Sequence, residues 1–146
     1  MNLALVLFVV SSLAALPGIS DAAGKSSPSA FGSSGYLKQD PLFKDRTNIY
    51  DRDGTLKGYS RPDSLIEGRQ NIYDKNGAQK GFIRRDPLLQ DRTNIYDKEG
   101  RPEGYLRRDP LFKDRPDVFD KDGRPKGYLK PDPLFEDRTD YYRYPK

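Results

Sequence analysis

The chain has no cysteine, no histidine and no tryptophan. Without cysteine there is neither a disulfide framework nor thiolate chemistry, and the usual staple of small secreted domains is missing. With histidine absent as well, nucleophilic catalysis of the Ser-His or Cys-His kind is excluded. Aliphatic side chains are scarce too. Hydrophobic residues make up 34% of the 146, and part of that share sits in the first twenty positions. A chain this short allows one domain at most, and its 10 Tyr and 7 Phe are expected to supply much of the buried area. Runs of one charge are also lacking. The 26 Lys and Arg alternate with 22 Asp and Glu, so the net charge of +4 forms no stripe that could track phosphates. Nucleic acid is therefore not an expected partner.

The one long apolar run lies at the start. Leu3 to Leu16 is interrupted only by Ser11 and Ser12 and is followed by Pro17 and Gly18. An apolar stretch followed by small residues is the pattern of a secretory signal peptide. Ser20-Asp21-Ala22 places small side chains where a signal peptidase reads, so cleavage is expected after Ala22. Roughly 14 apolar residues are short for a membrane span, and no stable span is expected after cleavage. Residues 1–22 thus read as a signal peptide and 23–34, rich in Gly, Ser, Ala and Pro, as a flexible linker. The expected location is the periplasm, cell surface or exterior.

What the chain has in abundance is repetition. Gly-aromatic pairs recur at Gly35-Tyr36, Gly58-Tyr59, Gly81-Phe82, Gly104-Tyr105 and Gly127-Tyr128, always 23 residues apart. In phase with them come Asp40, Asp63, Asp86, Asp109 and Asp132, then Leu42, Leu65, Leu88, Leu111 and Leu134. Next come Arg46, Arg69, Arg92, Arg115 and Arg138, and last Tyr50, Tyr73, Tyr96, Phe119 and Tyr142. No insertion breaks the phase, so each unit must occupy an equivalent environment. The units run 35–57, 58–80, 81–103, 104–126 and 127–146.

One unit reads as β. Asn48-Ile49-Tyr50-Asp51 joins a β-branched and an aromatic residue, both favoured on a pleated surface. Arg52-Asp53-Gly54-Thr55 carries turn chemistry, and Gly58-Tyr59-Ser60 resumes extended chain, giving a hairpin. Ile49 and Tyr50 point to opposite faces. Between hairpins runs Asp-Pro-Leu-Phe-Lys-Asp-Arg, as in Asp109 to Arg115. Its proline blocks ladder pairing, and its Leu and Phe are expected to plug against the neighbouring unit.

The ends of the array complement each other. Unit one opens with a Gly-Tyr strand that lacks a preceding partner, and unit five ends on the other strand with no turn after it. Pairing 36–38 with 140–144 would close a ring and remove the exposed edges. The expected fold is an all-β, five-fold pseudosymmetric, propeller-like ring, with an open hairpin solenoid as the alternative.

The pattern Tyr-Asp-x-x-Gly-x-x-x-Gly-Tyr, from Tyr50 to Tyr59, resembles MORN repeats, which also have 23-residue periods. It is similar as well to the choline- or cell-wall-binding repeats of secreted bacterial proteins. It lacks the tryptophan of both, and its Asp-Pro-Leu-Phe loop has no counterpart in either. The resemblance implies β-hairpin architecture and no particular ligand.

Repetition also weighs on the chemistry. Paired carboxylates could do acid–base work, yet every prominent Asp recurs in at least four units, whereas a catalytic pair stands once. No enzyme is expected, and no cofactor. Asp51-Arg52-Asp53-Gly54 and Asp120-Lys121-Asp122-Gly123 look like the start of a calcium loop. Bases interleave, however, and the middle acid becomes Asn76 or Glu99 elsewhere, so a hairpin turn is expected and no metal. Arg46, Arg69, Arg92, Arg115 and Arg138 could hold an anion bidentately or serve ion pairs between units. Unit two has Gly68 where the others have an Asp beside this arginine, so Arg69 must pair elsewhere, with the first acid of the unit or the acid after the tyrosine. Tyr50, Tyr59, Tyr73, Tyr96, Tyr105 and Tyr128 are either core or a sugar-binding surface. The sequence thus points to a secreted, non-enzymatic repeat scaffold or interaction module that engages a protein or a glycan. The alternative is a carbohydrate or cell-wall-binding module with several equivalent weak sites.

Overall fold

In the computed structural model, which describes residues 34–145, the chain is ten antiparallel strands and their connections. The segment read as an export signal and the linker before Ser34 lie outside the described residues. The strands are β1 (Gly35–Gln39), β2 (Thr47–Asp51), β3 (Leu56–Pro62), β4 (Arg69–Asp74), β5 (Gln79–Arg85), β6 (Arg92–Asp97), β7 (Pro102–Arg108), β8 (Pro116–Asp120), β9 (Pro125–Pro131) and β10 (Arg138–Arg143). Each pairs with its neighbours in sequence, and β1 also pairs with β10, closing the sheet into a barrel. The closing register runs from Gly35 opposite Tyr141 to Lys38 opposite Arg138. Ser34 N–H donates to the Tyr141 carbonyl at 2.6 Å and Gln39 N–H to that of Asp137 at 3.1 Å.

The ring demanded by the two unmatched terminal strands therefore forms, and the open solenoid does not. Its form is a single barrel sheet. A propeller is assembled from four-stranded blades, whereas each unit here supplies two strands, and the ladder runs unbroken from one unit to the next. Closure leaves no strand edge open to another chain.

The core is also not the aromatic one expected. The innermost side chains are one from each strand: Leu37, Ile49, Ser60, Ile72, Ile83, Ile95, Leu106, Val118, Leu129 and Tyr141, each at most 3% exposed. Alternation along each strand sends the repeated aromatics to the outer face. Aliphatic partners meet across the junctions between odd and even strands, with Leu37 opposite Ile49 and Ile83 opposite Ile95. On its other side each even strand meets a glycine, as Ile49 meets Gly58 and Ile95 meets Gly104. That glycine lets the strands approach. A methyl group on Gly58 would run into the Tyr73 carbonyl oxygen, which is why the glycine recurs in every unit. Tyr141 stands where the other units have Ile or Val. Its ring takes the space above Gly127, and its hydroxyl donates to the Lys126 carbonyl at 3.2 Å. Burial pushes its pKa up to about 12, so it stays neutral in the interior.

Strand direction sorts the connections by rim. The four hairpin turns sit at one end of the barrel and the five longer loops at the other. In the first turn Gly54 adopts φ +82° and donates to the Asp51 carbonyl. Asp51 Oδ1 accepts the N–H groups of Asp53 and Thr55 at 3.0 and 2.9 Å. Asp51 is thus a turn-former, with its other oxygen 3.3 Å from Lys57 Nζ, and the calcium-like spelling of this stretch is hairpin chemistry.

Candidate functional site: the outer stacks and the loop rim

Five stacks decorate the outer wall. Tyr36 lies on Tyr50, Tyr59 on Tyr73, Phe82 on Tyr96, Tyr105 on Phe119 and Tyr128 on Tyr142, with ring centroids 4.9 to 5.1 Å apart. On the far side of each odd-strand ring rests the repeated arginine of the preceding unit. Arg46 sits over Tyr59 at 4.0 Å, Arg69 over Phe82 at 3.8 Å and Arg92 over Tyr105 at 3.9 Å. Arg138 sits over Tyr36 at 4.0 Å, so the pattern passes through the closure, and Arg115 lies over Tyr128 at 4.6 Å. Arg46 comes from the β2 side and Tyr73 from the β4 side, so both faces of Tyr59 are covered. A guanidinium over a ring stabilises by roughly 0.5–2 kcal/mol, more as water is excluded.

The same arginine is tied to its own loop. Arg46 Nε donates to Asn48 Oδ1 at 2.9 Å and lies 3.4 Å from Asp40 Oδ2, which itself accepts from the Asn48 amide at 2.8 Å. Arg69, despite Gly68, makes the equivalent contacts to Asn71 and Asp63. Its partner is the first acid of the unit. The Asp beside the arginine reaches forward instead, with Asp45 on Arg61 at 2.8 Å and Asp91 on Arg107 at 3.1 Å.

That first acid also builds the loop. Asp40 Oδ1 accepts the N–H groups of Leu42 and Phe43 at 2.8 and 3.1 Å, and its own N–H donates to the Arg46 carbonyl. Asp63, Asp86, Asp109 and Asp132 accept the equivalent pair of N–H groups. The Leu42 N–H is the main influence holding the Asp40 carboxyl below its ordinary pKa, helped by Asn48, Phe43 N–H and Arg46 against the opposing effect of burial. Units four and five differ, because Asp117 and Asp140 replace the asparagine. Burial first, and then the facing carboxyl of Asp109 or Asp132, raises both pKa values. In unit four Asp117 takes a hydrogen bond from Tyr144, and Arg115 Nε is left buried without a partner.

The loops thus pinned do not plug their neighbours. Leu42, Leu65, Leu88, Leu111 and Leu134 are 82% to 92% exposed, and Phe43, Ile66, Leu89, Phe112 and Phe135 are 37% to 55% exposed. The physical reason is local. With two consecutive N–H groups bonded to one aspartate oxygen, the tight turn presents both side chains outward, and the barrel mouth is already filled by its own interior residues. The outcome is a crown of ten large apolar side chains on one rim. Monomeric proteins rarely expose apolar patches of this kind without a use for them. The chain enters β1 and leaves β10 at the opposite rim, beside the hairpin turns.

The candidates expected from the sequence, Tyr50, Tyr59, Tyr73, Tyr96, Tyr105 and Tyr128 with the five arginines, come together in pairs and triplets on the wall. The crown was not expected. The available signal was that Leu followed by a second large apolar residue recurs in every loop of a chain otherwise poor in aliphatic residues. Among the described residues no three acids gather closely enough to hold a metal ion. No protein-family model, curated protein or solved structure matches this chain.

Proposed function

We propose that the protein is an exported, non-enzymatic interaction module that grips a protein partner with its loop rim. The observation that carries this reading is the crown: five loops, each fixed by an aspartate, hold Leu and a second apolar residue in water at the end of the barrel opposite the start of β1 and the end of β10. Five equivalent contacts on one rigid frame favour a partner engaged at several points at once. Export is supported by the apolar run at Leu3 to Leu16 and the small residues around Ala22. The strands have five to seven residues, against the roughly nine to eleven of a membrane-spanning strand. The wall also carries ion pairs where a lipid-facing band would be apolar.

The carbohydrate reading rests on the aromatic wall. Sugar stacking needs a free ring face, and Tyr59, Tyr105 and Tyr128 are covered on both sides, which leaves Tyr50, Tyr73 and Tyr96 as the rings with more to offer. This geometry favours the rim over the wall. The test is comparative capture from the envelope and extracellular fraction of the source cells. A variant with Ser at positions 42, 65, 88, 111 and 134 should keep the wild-type circular dichroism and lose the partner held by the wild type. Unchanged capture by that variant would sink the rim reading. Saturable, sugar-competed binding on a glycan array that survives in the variant would favour the wall.

A further inference from the structure

Where every unit repeats, a break in the repeat is informative, and the largest one is at Gly68. In three of the four units that keep an aspartate at this position, that acid pairs with the base sixteen residues on, or with its equivalent across the closure. Asp45 holds Arg61, Asp91 holds Arg107, and Asp137 lies 4.0 Å from Lys38. Arg84 is the corresponding base of the next unit, and Gly68 gives it no carboxylate. Two more departures fall beside it. Position 39 is Gln, 62 is Pro and 131 is Pro, but units three and four put Arg85 and Arg108 there. All three arginines are exposed. Among the described residues, none of their side chains has an ion-pair or hydrogen-bond partner.

These changes converge in one cleft of about 880 Å³, open to solvent, between the 63–68 and 86–91 loops. Arg84, Arg85 and Arg108 line it, with Glu67, Asp86 and Asp91. Two of the acids are already engaged. Asp86 accepts from Leu88 N–H, Leu89 N–H and the Asn94 amide, and Asp91 pairs with Arg107. Three uncommitted guanidiniums therefore face a single uncommitted carboxylate, Glu67.

We infer that this cleft binds a tetrahedral oxyanion, a sulfate or phosphate group, with Arg84 as the central ligand. Guanidinium forks match such oxygens in pairs. The inference stands apart from the crown and survives if that reading fails. The oxyanion can be free or carried on a sulfated glycan, and the shared chemistry is the same.

The experiment is a titration of the full chain with inorganic sulfate, inorganic phosphate and a heparin oligosaccharide at low ionic strength, followed by amide chemical shifts. Saturable shifts at 67–68, 84–86 and 108 are expected. Arg84→Gln should weaken binding at least about ten-fold, the loss of one charge-assisted contact. Arg61→Gln, which removes the same charge from the equivalent position of another unit, should leave binding unchanged. Gly68→Asp restores the acid found in the other units and should also weaken binding, while the protein stays folded; aspartate tolerates the positive φ of 75° better than most residues. Tighter binding of the oligosaccharide than of free sulfate identifies a glycan source, and equal binding identifies the free ion. No saturable shift in the wild type, or equal losses in Arg61→Gln and Arg84→Gln, would overturn the inference.

Discussion

The two rims of the barrel are built with one device and used differently. At both, one aspartate oxygen gathers two backbone N–H groups, as Asp51 does those of Asp53 and Thr55 in the hairpin turn and Asp40 those of Leu42 and Phe43 in the long loop. At the hairpin rim the residues so presented are Arg52, Asp53 and Thr55, as expected for a turn in water. At the loop rim they are Leu and Phe, Ile or Leu, exposed to solvent in all five units. Since the backbone is satisfied in both, the five leucines of the loop rim, 82% to 92% exposed, add little that folding needs. The second apolar residue is half-buried and in units one, four and five lies under the loop's own arginine. The contrast separates what holds the barrel together from what the barrel displays.

That separation can be broken most forcefully from inside the wall. Ile95 is fully buried between Ile83 and Gly104, and Ile95→Ala should destabilise by about 2–5 kcal/mol through lost transfer energy and the cavity left behind. The sheet is closed, so the loss should appear as one cooperative shift of the whole unfolding transition in urea. Melting confined to unit three would show that the units fold independently and that closure contributes little.

Much of this architecture is legible in the amino-acid sequence, and what is not has a physical cause. The 23-residue phase, the hairpin turns and the pairing of the terminal strands all follow from local chemistry plus the need to remove edges. The distinction between barrel and propeller turns on the ladder between a unit's Gly-Tyr strand and its own Ile-Tyr strand across the long loop, as between β3 and β4, a property that the hairpin motif alone does not reveal. The expectation of an aromatic core fails because it weighs Tyr59 and Tyr73 by size. Their strand positions, opposite in face to Ser60 and Ile72, place them outside, where they stack on each other and Arg46 covers Tyr59. The pairing of Arg69 is readable, since Gly68 leaves Asp63 as one of two partners. The crown is hidden because a Leu-Phe pair in a loop looks like a plug until the aspartate turn is seen holding it out.

A smaller effect sharpens the comparison within the loop rim itself. In units one to three an asparagine amide donates to the loop acid, as Asn48 does to Asp40, but Asp140 faces Asp132 with a second carboxyl. Burial and that neighbour raise the pKa of Asp140. A group whose folded pKa is raised contributes stability that is complete below its unfolded pKa and is lost as the pH rises through the folded one. At neutral pH the ionised Asp140 therefore weakens the fold. Asp140→Asn should raise stability there by about 1 kcal/mol, the worth of the restored hydrogen bond. The advantage should shrink towards about pH 4 and below, where Asp140 is protonated and can itself donate. Urea midpoints across that range check it, and an advantage independent of pH would place the cause elsewhere.

The smallest effect is the one the comparison depends on most. Leu88 is 87% exposed, and its N–H is held by Asp86 Oδ1 at 2.9 Å whatever its side chain is. Leu88→Ser should therefore change stability by no more than about 0.5 kcal/mol, as for surface positions without a structural duty. The same substitution at an interior aliphatic position would remove buried area and leave a hydroxyl without a partner. A loss above about 1 kcal/mol at Leu88 would mean that the crown packs in solution, by folding onto the barrel mouth or by meeting a second copy. Concentration dependence separates those two, since only self-association makes the midpoint rise with protein concentration. A neutral result fixes the crown as surface that the fold does not require, and so as surface available to a partner.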